Sequence, residues 1–87
     1  MKKVIMFTAK WCGHCINQKR AFKEVGLNPT YVDIDEEIYD AYKSLMEVNE
    51  LPTIVILEGL KPIKTFVGET DVKEIKEALN EINQTII

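Results

Sequence analysis

Cysteine is scarce in this chain: two in 87 residues, too few for the disulfide framework that holds many small extracellular domains together. Long apolar runs are missing as well. No stretch approaches the roughly 18 residues of a membrane-spanning helix, so no membrane association is expected. After Met1-Lys2-Lys3 the apolar stretch covers only Val4 to Phe7. That is too short for the hydrophobic region of a secretory leader, and a cytoplasmic location is the expectation. Basic residues are outnumbered and dispersed: 11 Lys and Arg against 14 Asp and Glu leave a net charge of −3, which argues against a nucleic-acid partner. The few glycines and prolines form no linker or low-complexity tract, and no internal repeat is present. What remains is ordinary for a globular chain, 46% hydrophobic and 29% charged. At this length one thin core is attainable, so residues 1–87 are expected to form a single domain, as a monomer.

Periodicity divides the chain into seven segments. Lys3 to Thr8 is β-rich and mostly apolar, the pattern of a strand buried on both faces. From Cys12 the period becomes helical. Cys15, Ile16, Phe22 and Val25 are expected inside, Lys19, Lys23 and Glu24 outside, with Gly26 as the stop. Pro29 introduces a short strand from Thr30 to Ile34. Asp35 then stands as the cap of a helix over Glu36 to Glu47, with Ile38, Ala41, Tyr42 and Leu45 on its inner face. The acidic run from Asp33 to Glu37 reads as a solvated helix start. A β-branched run from Thr53 to Leu57, the turn Glu58-Gly59-Leu60-Lys61-Pro62 and the segment Ile63 to Val67 make a hairpin. After Gly68, Asp71 and Glu74 have capping-box spacing, and Val72, Ile75, Leu79 and Ile82 line the last helix. The order is β-α-β-α-β-β-α. A strand–helix–strand opening favours a parallel pair with a right-handed crossover, and the hairpin then adds antiparallel strands. The expected fold class is α/β, a mixed four-stranded sheet with helices on both faces.

The two cysteines stand in Trp11-Cys12-Gly13-His14-Cys15, where the first strand ends and the first helix begins. That position puts Cys12 at a helix N-terminus, where unpaired N–H groups and the macrodipole favour an anion. Thiolate is the nucleophilic form of cysteine, so the placement activates Cys12 selectively. Cys15 follows one turn later, beneath Cys12, shielded and within disulfide reach. Gly13 leaves the approach to the sulfur uncrowded, and His14 adds a positive or polarisable group that stabilises the charged, reduced form. Trp11 is expected on the rim beside Cys12. A C-x-x-C pair at a strand-to-helix junction inside a βαβ unit is a redox signature.

On these residues the chain resembles the thioredoxin superfamily, and Trp-Cys-Gly-His-Cys is similar to the active-site form of protein disulfide isomerase domains. The length is closer to glutaredoxin-sized members. Leu51-Pro52-Thr53 resembles the family's cis-proline loop, and Val67-Gly68 its glycine before the last helix. The resemblance implies a thiol–disulfide oxidoreductase, a protein disulfide reductase with Cys12 as nucleophile and Cys15 as resolving cysteine of a redox-active disulfide. It also implies a cis Pro52 that presents the backbone of Leu51 to an extended substrate. Thr53 opens the strand that follows, and Gly68 stands near the site. The implied partners are protein disulfide substrates, with a reductase or glutathione as electron donor; no metal or organic cofactor is required.

Two positions depart from the family's pattern. Met6 stands where a buried carboxylate is usual, and Tyr31 where a lysine commonly lies in the second strand. The acid–lysine pair that would handle the proton of the resolving cysteine is therefore missing. A glutathione-dependent glutaredoxin is the alternative enzyme. It is weakened by the absence of the tyrosine often found inside that motif and by Val67-Gly68 in place of a double glycine. A metal-binding dithiol module is the non-enzyme alternative, although zinc takes four ligands and His14, squeezed between the cysteines, is awkwardly placed to join them.

Overall fold

The computed structural model describes residues 2–44 and 46–84, with side chains through residue 80. Within them all seven segments form in the expected order: β1 (Lys2–Thr8), α1 (Gly13–Glu24), β2 (Thr30–Asp33), α2 (Ile38–Tyr42), β3 (Thr53–Glu58), β4 (Lys61–Val67) and α3 (Val72–Gln84). The sheet order is β2-β1-β3-β4, with β1 parallel to β2 and antiparallel to β3, and β4 antiparallel to β3. This is the mixed four-stranded sheet of an α/β fold.

Successive strand residues point to opposite faces, so an interior apolar strand feeds two cores. Ile5 and Phe7 of β1 join Val32, Val55 and Leu57, covered by Tyr39 and Tyr42 of α2. Met6 joins Cys12, Cys15, Phe22, Ile54 and Ile75, so α1 and α3 cover that face. Phe7 and Phe22 are both fully buried. Burial of each such ring stabilises the fold by about 1.5–3 kcal/mol.

Helix α1 ends at a Schellman motif. Gly26 takes the left-handed conformation at φ 72, Leu27 N–H donates to Phe22 O at 3.0 Å, and Gly26 N–H donates to Lys23 O at 3.2 Å. Its buried stripe differs from the expectation: Cys15, Gln18 and Phe22 face the core, while Ile16 and Val25 are exposed. Ile16 lies about 100° around the helix from Cys15, and Val25 is the cap beyond the last turn. Gln18 takes the inner position because its amide completes a backbone pair. Its Nε2 donates to Thr70 O at 3.0 Å and its Oε1 accepts from Thr70 N–H at 2.7 Å, with the residue 2% exposed.

Helix α2 is much shorter than the expected Glu36 to Glu47. Asp35 does not cap it. Instead Asp33 Oδ1 accepts from Asp35 N–H at 2.8 Å and Asp33 O from Glu36 N–H at 3.1 Å, so these residues are held in a turn. Ile38 and Ala41 are exposed, and the helix packs through Tyr39 and Tyr42, spaced one turn apart. Both rings meet Phe7 edge-on, at centroid distances of 5.9 and 6.0 Å, a geometry the aromatic quadrupoles favour. The expected inner residue Leu45 and the side chain of Ile82 lie outside the described residues.

Other boundaries move by a residue or two. β1 gains Lys2, β2 ends at Asp33 before Ile34, β3 runs on to Glu58, and β4 starts at Lys61 after a two-residue turn, Gly59-Leu60. Asp71 caps α3 as its spacing suggests, with Oδ1 accepting from Lys73 N–H at 2.9 Å. Ile75 is buried under this helix, and Val72 and Leu79 pack beside it.

The Gln18 pair ties α1 to the segment before α3 and generates a stability prediction. Gln18→Ala leaves both backbone groups of Thr70 without a partner and opens a cavity. The expected loss in urea unfolding is about 2–4 kcal/mol; a loss well under 1 kcal/mol would show that the clamp contributes little.

Candidate active site

Beyond β1 the chain makes one turn, closed by Cys12 N–H donating to Ala9 O at 3.2 Å, and α1 begins. Cys12 is the N-cap, extended at φ −91 and ψ 106, and its Sγ accepts from Cys15 N–H at 3.1 Å. The sulfur thus occupies the place usually taken by a serine or aspartate oxygen. The first turn of α1 carries no acidic residue to compete for that positive end of the helix. Cys12 and Cys15 are joined as a disulfide, their Cα atoms 5.2 Å apart. Cys15 is sealed at 0% exposure, and Cys12 keeps only 6%, far less open than a residue on an exposed motif suggests.

The opening above Cys12 is a cleft of about 450 Å³ lined by residues 11–14, Ile34 and residues 48–51. The cleft brings Trp11, Cys12, Gly13 and His14 together with Leu51, across some forty residues of chain. Trp11 is a rim residue, 70% exposed, and its Nε1–H donates to Asp35 Oδ2 at 2.8 Å. The Leu51–Pro52 peptide bond is cis. Thr53 and Gly68 stand behind this loop rather than in the cleft. Thr53 Oγ1 donates to Glu50 O at 2.6 Å, and Gly68 N–H donates to Pro52 O at 2.8 Å. A side chain at Gly68 would meet nothing within 4 Å, so the glycine answers to its φ of 86 rather than to crowding. The space beside Gly13 is likewise open.

His14 is held from a distance. Glu69 Oε1 lies 2.6 Å from His14 Nδ1 and accepts from Asn17 Nδ2 at 3.1 Å. The hydrogen bonds from His14 and then Asn17 hold the Glu69 carboxyl below its ordinary value, against a smaller opposing effect of burial. Nothing in the sequence singles out Glu69 or Asn17, because their meeting depends on where the β4–α3 connection lands. Residues 48–50 reach the cleft for the same reason, and Asp35, expected only as a helix cap, meets Trp11 instead. For Gln18 there was one signal, a polar residue one turn from both Cys15 and Phe22.

Met6, fully buried, belongs to the apolar cluster that holds both cysteines. Tyr31 pairs with it across the sheet, partly exposed, with Lys19 Nζ 5.2 Å from its ring centroid. Burial pushes the Tyr31 phenol above its ordinary value. Among the described residues no group of three or more His, Cys, Asp or Glu side chains converges to hold a metal ion.

Residues 4–60 match the Glutaredoxin family. The thioredoxin of Mycoplasmoides gallisepticum is 30% identical over 81 residues, which are 90% of this chain and 81% of that protein. The chain belongs to the thioredoxin superfamily. Thioredoxin H8 of Arabidopsis thaliana is 31% identical over 85 residues, 94% of this chain, and the match spans only 57% of that longer protein. Among solved structures, oxidised thioredoxin O2 of Arabidopsis thaliana superposes with a TM-score of 0.72 at 29% identity, covering 93% of this chain and 74% of that one. Together with the Cys12–Cys15 disulfide, these likenesses support a thiol–disulfide oxidoreductase.

The N-cap geometry and the unequal burial of the two sulfurs lead to a labelling order. Alkylation of the reduced protein near neutral pH is expected to modify Cys12 at least about tenfold faster than Cys15, as thiolate character and access both favour it. Peptide mapping by mass spectrometry reads the order directly, and earlier labelling of Cys15 would reverse the assignment.

Proposed function

We propose that the protein reduces disulfides in other proteins, with Cys12 as nucleophile and Cys15 as resolving cysteine. The observation that carries this reading is the Cys12 sulfur at the N-cap of α1, accepting a backbone N–H at the floor of a cleft, with Cys15 sealed beneath it. In the reduced protein the Cys12 thiolate attacks one sulfur of a substrate disulfide. The other substrate sulfur leaves as a thiolate and takes up a proton. Cys15 then loses its proton and attacks Cys12 Sγ, which releases the second substrate thiol. Two electrons pass to the substrate, and the Cys12–Cys15 disulfide remains.

Leu51, brought to the same cleft, offers backbone groups to an extended substrate segment, while Trp11 and His14 shape its rim. Electrons return from a reductase or from glutathione. The match of residues 4–60 to the Glutaredoxin family favours glutathione as a second reading. Turnover with thioredoxin reductase and with glutathione, measured side by side, separates the two. The reading places the protein in the cytoplasm, where thiols are kept reduced, and cell fractionation checks that. Cys12→Ser is expected to abolish reduction of a protein disulfide, and Cys15→Ser to accumulate mixed disulfides with substrate. Reduction that survives in Cys12→Ser would overturn the proposal.

Met6 sets the pace of the second step. A reduced Cys15, sealed from water, resists losing its proton because burial disfavours the thiolate, and the methionine thioether beneath it takes no proton. Resolution of a preformed mixed disulfide is therefore expected to be slow near neutral pH and to accelerate as pH rises. Met6→Asp is expected to speed this step at neutral pH while costing about 1–3 kcal/mol of stability, since a polar group enters the core. Stopped-flow measurements across pH test both; fast, pH-independent resolution in the parent would show that another group supplies the base.

A further inference from the structure

The contacts that place His14 come from outside its own segment, and no step above uses them. Glu69 stands in the β4–α3 connection, 55 residues along the chain from His14. Its carboxyl is held below the ordinary value and is ionised at neutral pH, so it only accepts hydrogen bonds. His14 Nδ1 therefore carries the hydrogen in the 2.6 Å contact. The same oxygen takes a hydrogen from Asn17, so one carboxylate grips both donors at the start of α1, beside Cys12. The connection that presents Glu69 is itself fixed on both sides, by Gly68 N–H on Pro52 O and by the Gln18 amide on Thr70. His14, with a side chain 76% exposed, has no packing of its own to choose a rotamer. With Nδ1 engaged, Nε2 is the ring nitrogen left to the cleft that His14 shares with Cys12.

We propose that Glu69 is a positioning residue for the redox pair: by holding His14 through Nδ1 it keeps the imidazole beside Cys12, where the ring in its cationic form, carrying a hydrogen on Nε2 as well, stabilises the reduced, anionic sulfur. The inference rests on the oxidoreductase reading above. Its sign distinguishes it from a simple charge effect. A carboxylate acting on Cys12 through space destabilises the thiolate, so its removal makes the disulfide more oxidising. A carboxylate acting through His14 does the reverse. Without it the ring is free to leave the sulfur, the reduced form loses stabilisation, and the disulfide becomes less oxidising.

The test is the equilibrium of the Cys12–Cys15 pair with glutathione redox buffers, in a cycle of variants. Glu69→Ala is expected to lower the constant for oxidation of glutathione by the protein roughly twofold to tenfold, a tenfold change being about 30 mV for two electrons. In a His14→Ala background the same substitution is expected to produce no such fall. Glu69→Gln, which keeps an acceptor oxygen for Nδ1, is expected to restore part of the constant. Thermal melts confirm that each variant at this exposed position folds. A rise in the constant, no change, or an equal fall in both backgrounds would overturn the role of Glu69 while leaving the oxidoreductase reading intact. Failure of the unsubstituted protein to titrate as a reversible dithiol couple would sink that reading instead.

Discussion

Strand β1 sends Met6 into one core and Ile5 and Phe7 into the other, and from Ile5 to Thr8 neither face is left for water. That two-sided burial forces helices onto both sides of the sheet, and the remaining architecture accommodates it. Because β1 pairs with β2 in parallel, the chain crosses over one face to reach β2, and α1 is that crossover. The crossover starts where β1 ends. A helix N-terminus therefore lies at the carboxyl edge of an interior strand, the edge at which open α/β sheets present their sites. Cys12 occupies that junction, and its reactivity is a consequence of how the strand must be covered.

The polar contacts around the pair are few and run between segments distant in sequence. Gly68 holds Pro52 through the backbone, Gln18 holds Thr70, Glu69 holds His14 and Asn17, and Asp35 holds Trp11. They divide by environment. The Gln18 amide is buried and its hydrogen bonds have no water to replace them, so it acts on stability. The Trp11 and His14 contacts are exposed, so their weight falls on orientation at the rim rather than on the fold. The cluster that holds both cysteines is apolar, and Met6, which accepts no proton, is part of it. No buried side chain among the described residues is a carboxylate, so none stands ready to take a proton from Cys15.

Much of this was legible in the residue order. Continuous apolar and β-branched runs between turn residues located all four strands, Gly26 marked the end of α1, and Asp71 marked the start of α3, because these signals depend on neighbours in sequence. The Trp11-to-Cys15 motif and the Leu51–Pro52 bond were likewise local patterns, the second through family likeness. The errors cluster where tertiary contacts compete with local preference. Helix α2 is shorter than expected because Asp35 has the chemistry of a cap, whereas Asp33 captured its backbone, and Phe7 took Tyr39 beside the expected Tyr42 in place of Ile38 and Ala41. Gln18 was overlooked on the inner face because a polar residue is buried only when a partner waits there, and Thr70 is 52 positions away.

By itself, then, the sequence determined the order of elements, the α/β class and the chemistry of a paired thiol at a strand-to-helix junction. Each of these follows from periodicity or from residues within a turn of one another. Only the tertiary structure decided that Cys12 too is nearly sealed, which residues share the cleft with it, and that Glu69 reaches His14. Those facts depend on how far apart two loops come to rest once the sheet has closed on its helices. A hydrogen bond of under 3 Å records that distance, and no spacing along the chain encodes it.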